Sequence, residues 1–400
     1  MLLWSGQTVS DLGSQVSTLA LPLLAVLVLK ASTFEVSLLG FLGSLAFLLI
    51  SLPAGVIVDR VAKRRMMLWC DVARMFLMGS IPVAAVVWHV TLWQLYVVAG
   101  AVGVLTVFFD VSYQSYLPFL VDKSQLVDGN GKLGTTSELA QLSGPSIGGA
   151  LVGAIGAART VSADAASYAV SFISLALIRH PEPKPEPVEG AARVTFRAAM
   201  HEGLSFVVRH PILRKIVACT GTSNFFSMAM GSIGVVYLVR TLHATATEVG
   251  LVFTLGSVGG LLGGLTAGWF GRRIGTARVI WVSMLIPGPL YLLVPLAGPG
   301  WRLVLYGLGY SAVSFTALVY NTAQLSYRQS ICPIELLGRM NASVRWIVWG
   351  TMPLGALFGG LLGTTIGLRE TMWVCVLGMW AAGFWVLFSP LRRLRDVPDS

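Results

Sequence analysis

The sequence predicts an all-α membrane protein, twelve transmembrane helices in two six-helix bundles, and three observations carry that prediction. Hydrophobic residues make up 55% of the 400 residues and charged residues only 12%, with a mean hydropathy of +0.75. Soluble domains carry about 25% charged residues, so this chain lacks the polar surface to dissolve in water and takes lipid as its solvent. Apolar segments of spanning length recur along the whole chain. The second half then repeats the first at an offset of about 211 to 213 residues.

The first six spans are expected at 8–29, 36–58, 67–88, 92–117, 133–156 and 161–178. The second six are expected at 216–239, 249–271, 279–297, 303–327, 341–366 and 371–390. This divides the chain into an N-terminal bundle (1–178), a linker (179–215) and a C-terminal bundle with a short tail (216–400). The linker opens on His180-Pro-Glu-Pro-Lys-Pro-Glu-Pro187, an extended spacer. It continues from Arg193 to Arg209 as an amphipathic helix with Phe196, Met200, Leu204 and Val207 or Val208 on one face, suited to the inner membrane surface. Outside the spans, all basic residues except Lys30, Arg159, Arg240, Arg302 and Arg369 fall on one side. Positive loops stay in the cytosol, so both termini are expected there. The net charge of +10 is then a topology signal rather than a nucleic-acid footprint.

The repeat is read from matched residues: Glu35-Val36 with Glu248-Val249, Asn130 with Asn341, Gly148-Gly149 with Gly359-Gly360, and Ile155-Gly156 with Ile366-Gly367. Parallel repeats of six spans are a transporter architecture, with the substrate expected between the halves. Glycine ladders at four-residue spacing add to this. Gly256, Gly260, Gly264 and Gly268 line span eight, Gly355, Gly359, Gly363 and Gly367 line span eleven, Gly144, Gly148 and Gly156 lie in span five, and Phe47 interrupts the matching set Gly43, Ser51 and Gly55 of span two. Each ladder allows close backbone approach, either as static packing or as contacts between moving halves, and the second is the expectation.

Gly55-x3-Asp59-Arg60-x-Ala62-x-Arg64-Arg65 resembles the loop motif between spans two and three of the major facilitator superfamily, with Ala62 at its second glycine. Gly131-x8-Ala140-x3-Gly144-Pro145-x2-Gly148-Gly149 is similar to the antiporter motif of that superfamily's drug exporters, with Ala140 the departure. The arginine that the superfamily's exporters carry in span four is replaced here by Tyr96. Trp4-Ser-Gly-Gln7 and Glu202-Gly203 through Arg214 resemble the subfamily of the enterobactin exporter and macrolide-efflux proteins. The resemblance implies a two-bundle transporter working by alternating access, with an inner gate at Gly55, Asp59, Arg60, Arg64 and Arg65.

Two rival chemistries fail on context. Gly129-x-Gly131-x-x-Gly134 fits a nucleotide fingerprint but is expected in a loop between spans, with no strand before it and no acid about 20 residues on. The five histidines lie in or beside loops without clustered acids, and the four cysteines are isolated, so neither an enzyme nor a metal site is expected.

Charges inside spans are costly and need a partner or a role. Asp71 and Arg74, three apart, read as an ion pair bracing the Arg64-Arg65 loop, and Asp164 as a pair with Arg159. Gln7, Asp11, Ser14 and Thr18 form one polar stripe on span one, which must face protein or water. Asp11, Asp110 and Glu138 are therefore candidates for carrying a proton, with permanent pairing to Arg345 or to basic loop residues as the alternative. Spans seven and ten supply Asn224, Phe225, Tyr310, Tyr320, Asn321 and Gln324. With Gln7, these suit a bulky amphipathic substrate at the cavity where the resemblance places those spans. The expected activity is proton-driven export of such a molecule, a drug, macrolide-like compound or secondary metabolite, across the bacterial cytoplasmic membrane. A dedicated siderophore exporter is the alternative, and a membrane scaffold or enzyme the reading outside transport. No cofactor beyond the proton gradient, no metal and no nucleic acid is expected, and the chain is expected to act as a monomer.

Overall fold

The computed structural model describes residues 2–59, 61–120, 126–178 and 196–396. All regular structure among them is helical, with helices at all twelve expected positions: nine are long and apolar enough to cross a membrane, the helices at positions two and five have shorter apolar stretches, and the sixth is less apolar. Crossing one is α1 (Leu2–Leu23), continued by a π-helical turn, Leu24–Val28. Crossing two is α2 (Thr33–Leu49) and α3 (Ser51–Asp59), interrupted at Ile50. Crossings three to six are α4 (Lys63–Val87), α5 (Leu92–Leu120), α6 (Leu126–Ile155) and α7 (Ala157–Ala176). The linker helix α8 (Phe196–Arg209) precedes crossing seven, α9 (Leu213–Val236) with a π-helical turn Tyr237–Thr241. Crossing eight is α10 (Ala246–Ile274). Crossing nine is split into α11 (Thr276–Leu285), α12 (Gly288–Tyr291) and α13 (Leu293–Leu296). The last three are α14 (Leu303–Ile331), α15 (Ile334–Thr365) and α16 (Leu368–Leu387).

Prolines explain the break in crossing nine, which the sequence predicts as one span. Pro287 and Pro289 lack the N–H that a helix interior needs. The gap they leave is occupied by Trp380 of α16, whose indole N–H donates to the Leu285 carbonyl at 3.0 Å. The stretch Gly129–Gly134, expected as a loop, lies inside α6 instead. Glycine costs a helix only about 1 kcal/mol relative to alanine, less than ending one helix and nucleating another.

By contacts the chain forms two compact units, Met1–Val188 with Leu238–Thr254, and Glu189–Tyr237 with Leu255–Ser400. The repeat is visible in the backbone. The two π-helical turns fall at matched positions, and each is followed by a non-glycine residue in left-handed conformation, Lys30 (φ 51°) and His243 (φ 55°). Capping boxes then open α2 and α10. Ser32 and Glu35 exchange side-chain-to-backbone bonds of 3.3 and 2.6 Å, and Thr245 and Glu248 do so at 3.3 and 2.8 Å. Gly156 (φ 85°) and Gly367 (φ 102°) turn the chain into α7 and α16, a conformation that favours glycine. Ala62 sits at φ −62°, so the motif position it fills needs no glycine here, whereas its repeat counterpart Gly275 has φ 96°.

The linker helix belongs to the second unit, where Phe206 and Val207 pack with Met340, Val344 and Val348 of α15. Val208 is exposed, which settles the choice of face. Beyond it, His210 accepts the backbone N–H groups of Ile212 and Leu213 at its Nδ1, both at 3.2 Å, and so caps the start of α9. Burial lowers the His210 pKa below its ordinary value, keeping that nitrogen free to accept.

Candidate functional site

In the first unit, α1 and α7 pack through small residues. A Cβ on Gly6 would stand 2.8 Å from the Cβ of Ser174, and one on Gly13 would stand 2.6 Å from the Cβ of Ser167. Their absence lets the polar faces of the two helices meet. On α1 the predicted stripe forms, with the Gln7 amide donating to Asp11 at 2.7 Å and Ser14 reaching across to α7. There Ser14 donates to Asp164 at 3.3 Å and shares a 3.1 Å bond with the Tyr168 hydroxyl.

Arg74 lies at the centre of this polar interior, 4% exposed. Its guanidinium is held between the rings of Phe109 and Tyr168, 4.2 and 4.4 Å from their centroids, and donates to Asp71 at 2.5 Å. Asp71 also accepts from Ser171 at 2.7 Å. The predicted Asp71–Arg74 pair is therefore present, but it braces α7 rather than the loop. Arg64 itself donates to the carbonyls of Leu175 and Ala176 at 2.9 and 2.7 Å, satisfying the end of α7.

Asp164 does not pair with Arg159. The five-residue step from one to the other places the two side chains about 140° apart around the helix, and Asp164 is 2% exposed with Ser14 and Ser167 as its partners. Sequence reasoning left Asp71, Arg74 and Asp164 out of the functional set. The signal was available: Asp164, Ser167, Tyr168, Ser171 and Ser174 make a polar stripe on α7 like the one read on α1. Asp110 is half-buried on α5, next to the Phe109 that covers Arg74. Arg60 lies outside the described residues, as do the side chains of Asp59, Gly131, Glu138 and Arg339. Arg65 is exposed, and nothing crowds the missing side chain of Gly55.

Several ladder glycines pack inside their own unit. A Cβ on Gly148 would meet the Val16 carbonyl of α1 at 3.2 Å, and Gly144 faces Gln15 of the same helix. Gly355 and Gly359 face the carbonyls of Phe225 and Ala229 on α9, within the second unit. On α10, Gly264 has open space and Gly260 only ordinary contacts, whereas Gly263, off the ladder, would meet the Phe315 carbonyl of α14 at 2.6 Å. The tight side of α10 thus shares only Gly256 with the predicted ladder, where the Tyr310 ring of α14 fills the space. Gly149 and Pro145 instead meet the start of α10, where Gly149 would approach Gly250 at 2.9 Å, all within the first unit.

In the second unit the candidate cavity residues separate into two settings. Phe225 packs with Phe226 and Phe358 at centroid distances of 5.2 and 5.1 Å, beside half-buried Asn224. Tyr310 stacks on Tyr306 at 6.3 Å, with its ring against Gly256. Tyr320 is sealed in the core, its hydroxyl 2.7 Å from that of Thr220 and 3.2 Å from the Ile216 carbonyl. Gln324 is buried and donates to exposed Asn321 at 3.4 Å. Among the described residues, no three His, Cys, Asp or Glu side chains gather as they would around a metal ion.

Residues 3–348 match the Major Facilitator Superfamily. The chain is 26% identical to the multidrug efflux pump Tap of Mycolicibacterium fortuitum, covering 97% of this chain and 95% of that one. It is 20% identical to macrolide efflux protein A of Streptococcus pyogenes, covering 94% and 93%. Among solved structures it resembles a bacterial homologue of the iron transporter ferroportin in an inward-facing state, with a TM-score of 0.74 at 17% identity over 96% of this chain and 97% of that one. It also resembles the nucleoside transporter NupG, with a TM-score of 0.73 at 11% identity over 96% and 97%. At such identities the structures share a fold, and these relatives are transporters rather than enzymes.

Proposed function

The chain belongs to the Major Facilitator Superfamily, and on that premise we propose that it exports a bulky amphipathic small molecule from the bacterial cytosol by proton-coupled alternating access. The observation that carries this reading is likeness over nearly the full chain to two efflux proteins, one multidrug and one macrolide. The aromatic groups around Phe225 and Tyr310 support it, because ring faces receive flat apolar or cationic molecules without demanding one hydrogen-bond pattern. The stripe on α1 supports coupling, since Asp11 is half-buried and hydrogen-bonded to a neutral amide rather than an arginine. Asp11 and Asp110 are the proposed proton carriers, with Glu138 a third. Gly55, Asp59, Arg60, Arg64 and Arg65 serve as inner gate, and Gly131, Gly144, Pro145, Gly148 and Gly149 as antiporter motif. Both termini lie in the cytosol and the protein works as a monomer in the inner membrane.

The test is uptake of ethidium and of erythromycin into everted vesicles carrying the protein. Accumulation that collapses when a protonophore dissipates the gradient is the expected result. Accumulation of neither compound above empty vesicles would remove the exporter reading, and uptake indifferent to the protonophore would remove the coupling.

A further inference from the structure

Asp71, Arg74 and Asp164 are each at least nine-tenths buried, at 0, 4 and 2% exposure. Two carboxyls and one guanidinium leave a net negative charge if all are ionised, and an uncompensated charge is not tolerated at such a depth. Among the described residues no second cation faces them, and the half-buried acids nearby, Asp11 on α1 and Asp110 on α5, add negative charge rather than balance it. Facing Asp164 from α1 are Ser14 and Ser17, from α4 Arg74 and Asp71, and from α7 itself Ser167 and Tyr168. The π-helical turn after α1 is apolar, and the described side chains of α6 are uncharged. The cluster becomes neutral when one carboxyl holds a proton.

Geometry selects which one. Asp71 is in direct contact with the guanidinium at 2.5 Å, and Arg74 is fixed by the two aromatic rings, its Nε without a partner. Asp164 is bonded to hydroxyls, and a hydroxyl can donate to a carboxylate or accept from a carboxylic acid by rotating. Its surroundings therefore accommodate both protonation states, and those of Asp71 only one. Ser14 bridges Asp164 and Tyr168, and it stands one turn from Asp11 on the same face of α1.

We propose that Asp71, Arg74 and Asp164 form a buried store for one proton, with Asp164 as its exchangeable member and Ser14 as the hydroxyl link toward Asp11. In the exchange the O–H bond of Asp164 breaks and the proton leaves by way of the α1 stripe. The carboxylate left behind is stabilised by Ser14, Ser167 and the charge of Arg74, and reloading reverses each step. This rests on the proton-coupled reading above and moves the exchanging proton one helix deeper than Asp11.

Infrared difference spectroscopy of the full chain in detergent, with protons alone as the probe, tests the store without a substrate. Between acid and alkaline pH, wild type should show a carboxylic C=O band that Asp164→Asn lacks and Asp11→Asn keeps. Ser14→Ala retains the carboxyl and should shift the band and slow its hydrogen–deuterium exchange. Arg74→Gln, with no cation left, should about double the protonated-carboxyl signal. In everted vesicles, Asp164→Asn should lose gradient-driven ethidium uptake but keep ethidium counterflow. An unchanged band in Asp164→Asn overturns the proposal, as does full gradient-driven uptake by that variant. If wild-type uptake ignores the gradient while the band behaves as stated, the coupled-export reading fails and the store stands.

Discussion

In the first unit a guanidinium and two carboxyls are buried among serines where α1, α4 and α7 meet. In the second unit the buried groups include a single arginine, Arg328, and no acid among the described residues, while the aromatic groups Tyr237, Tyr306 and half-buried Tyr310 stand in a row and Tyr320 is bonded to Thr220. The repeat thus conserves backbone and diversifies interior chemistry. A charged interior must be balanced at every moment, so it can respond to protons. An aromatic interior has nothing to titrate near neutral pH, so it can respond to apolar molecules. On the proposed function, the difference gives energy and cargo to different halves of one duplicated scaffold.

The most severe way to break the comparison is to remove the central cation. Arg74→Gln leaves two carboxyls without charge balance and should cost about 3–5 kcal/mol, seen as a large loss of yield and melting temperature in detergent. Its counterpart in the second unit, Tyr320→Phe, deletes a hydroxyl bonded to Thr220 and Ile216. That should cost only about 1–2 kcal/mol. Equal losses would mean that the two interiors are energetically alike.

Packing sharpens the contrast next. Gly13→Ala forces a methyl against Ser167 at the polar seam and should destabilise by about 1–3 kcal/mol. Gly264→Ala, with open space around it, should be neutral or slightly stabilising through helix propensity. Thermal melting of both variants distinguishes a functional seam from an incidental ladder.

Much of this was legible from residue order alone. Nine of the expected crossings are borne out by length and hydropathy among the described residues, and the stripe Gln7, Asp11, Ser14 follows from helical spacing in lipid. The partner of that stripe was not, because it depends on which helix α1 packs against, and that is decided by Gly6 and Gly13 meeting serines some 150 residues away in the chain. Glycine spacing shows that a close approach is possible but not its direction: on α10 the close approach falls at Gly263, off the ladder, as well as at Gly256 on it. Asp164 and Arg159 show why nearness along a chain is not nearness around a helix: they are five apart and point to different sides.

A milder substitution addresses cargo. Phe358→Ala removes the ring packed on both Phe225 and Phe226. It should raise KM for ethidium several-fold, about 1 kcal/mol, with gradient dependence intact. Asp11→Asn should show the reverse, poor gradient-driven uptake at little-changed KM. A matching phenotype from both would dissolve the division of labour.

The smallest effect concerns the linker. His210 caps α9 only while Nδ1 is unprotonated, and its pKa is lowered in the folded protein. The cap is therefore complete above the unfolded value of 6.5 and is lost as pH falls through the lower folded value. It contributes up to about 1 kcal/mol. Amide exchange at Ile212 and Leu213 should accelerate in acid, and His210→Gln should flatten that dependence.

The paired left-handed residues carry an evolutionary consequence. Lys30 and His243 share a backbone conformation that neither residue type prefers, at matched points and with unrelated side chains. The two capping boxes likewise use serine in one half and threonine in the other. Across the repeat the torsion angles match while the letters differ, as a duplicated half-length chain would show. A descendant of the half-length ancestor would be recognised less readily by its residues than by the order of its irregular turns: a π-helical turn, a left-handed residue, a capped helix and, far downstream, a glycine with positive φ.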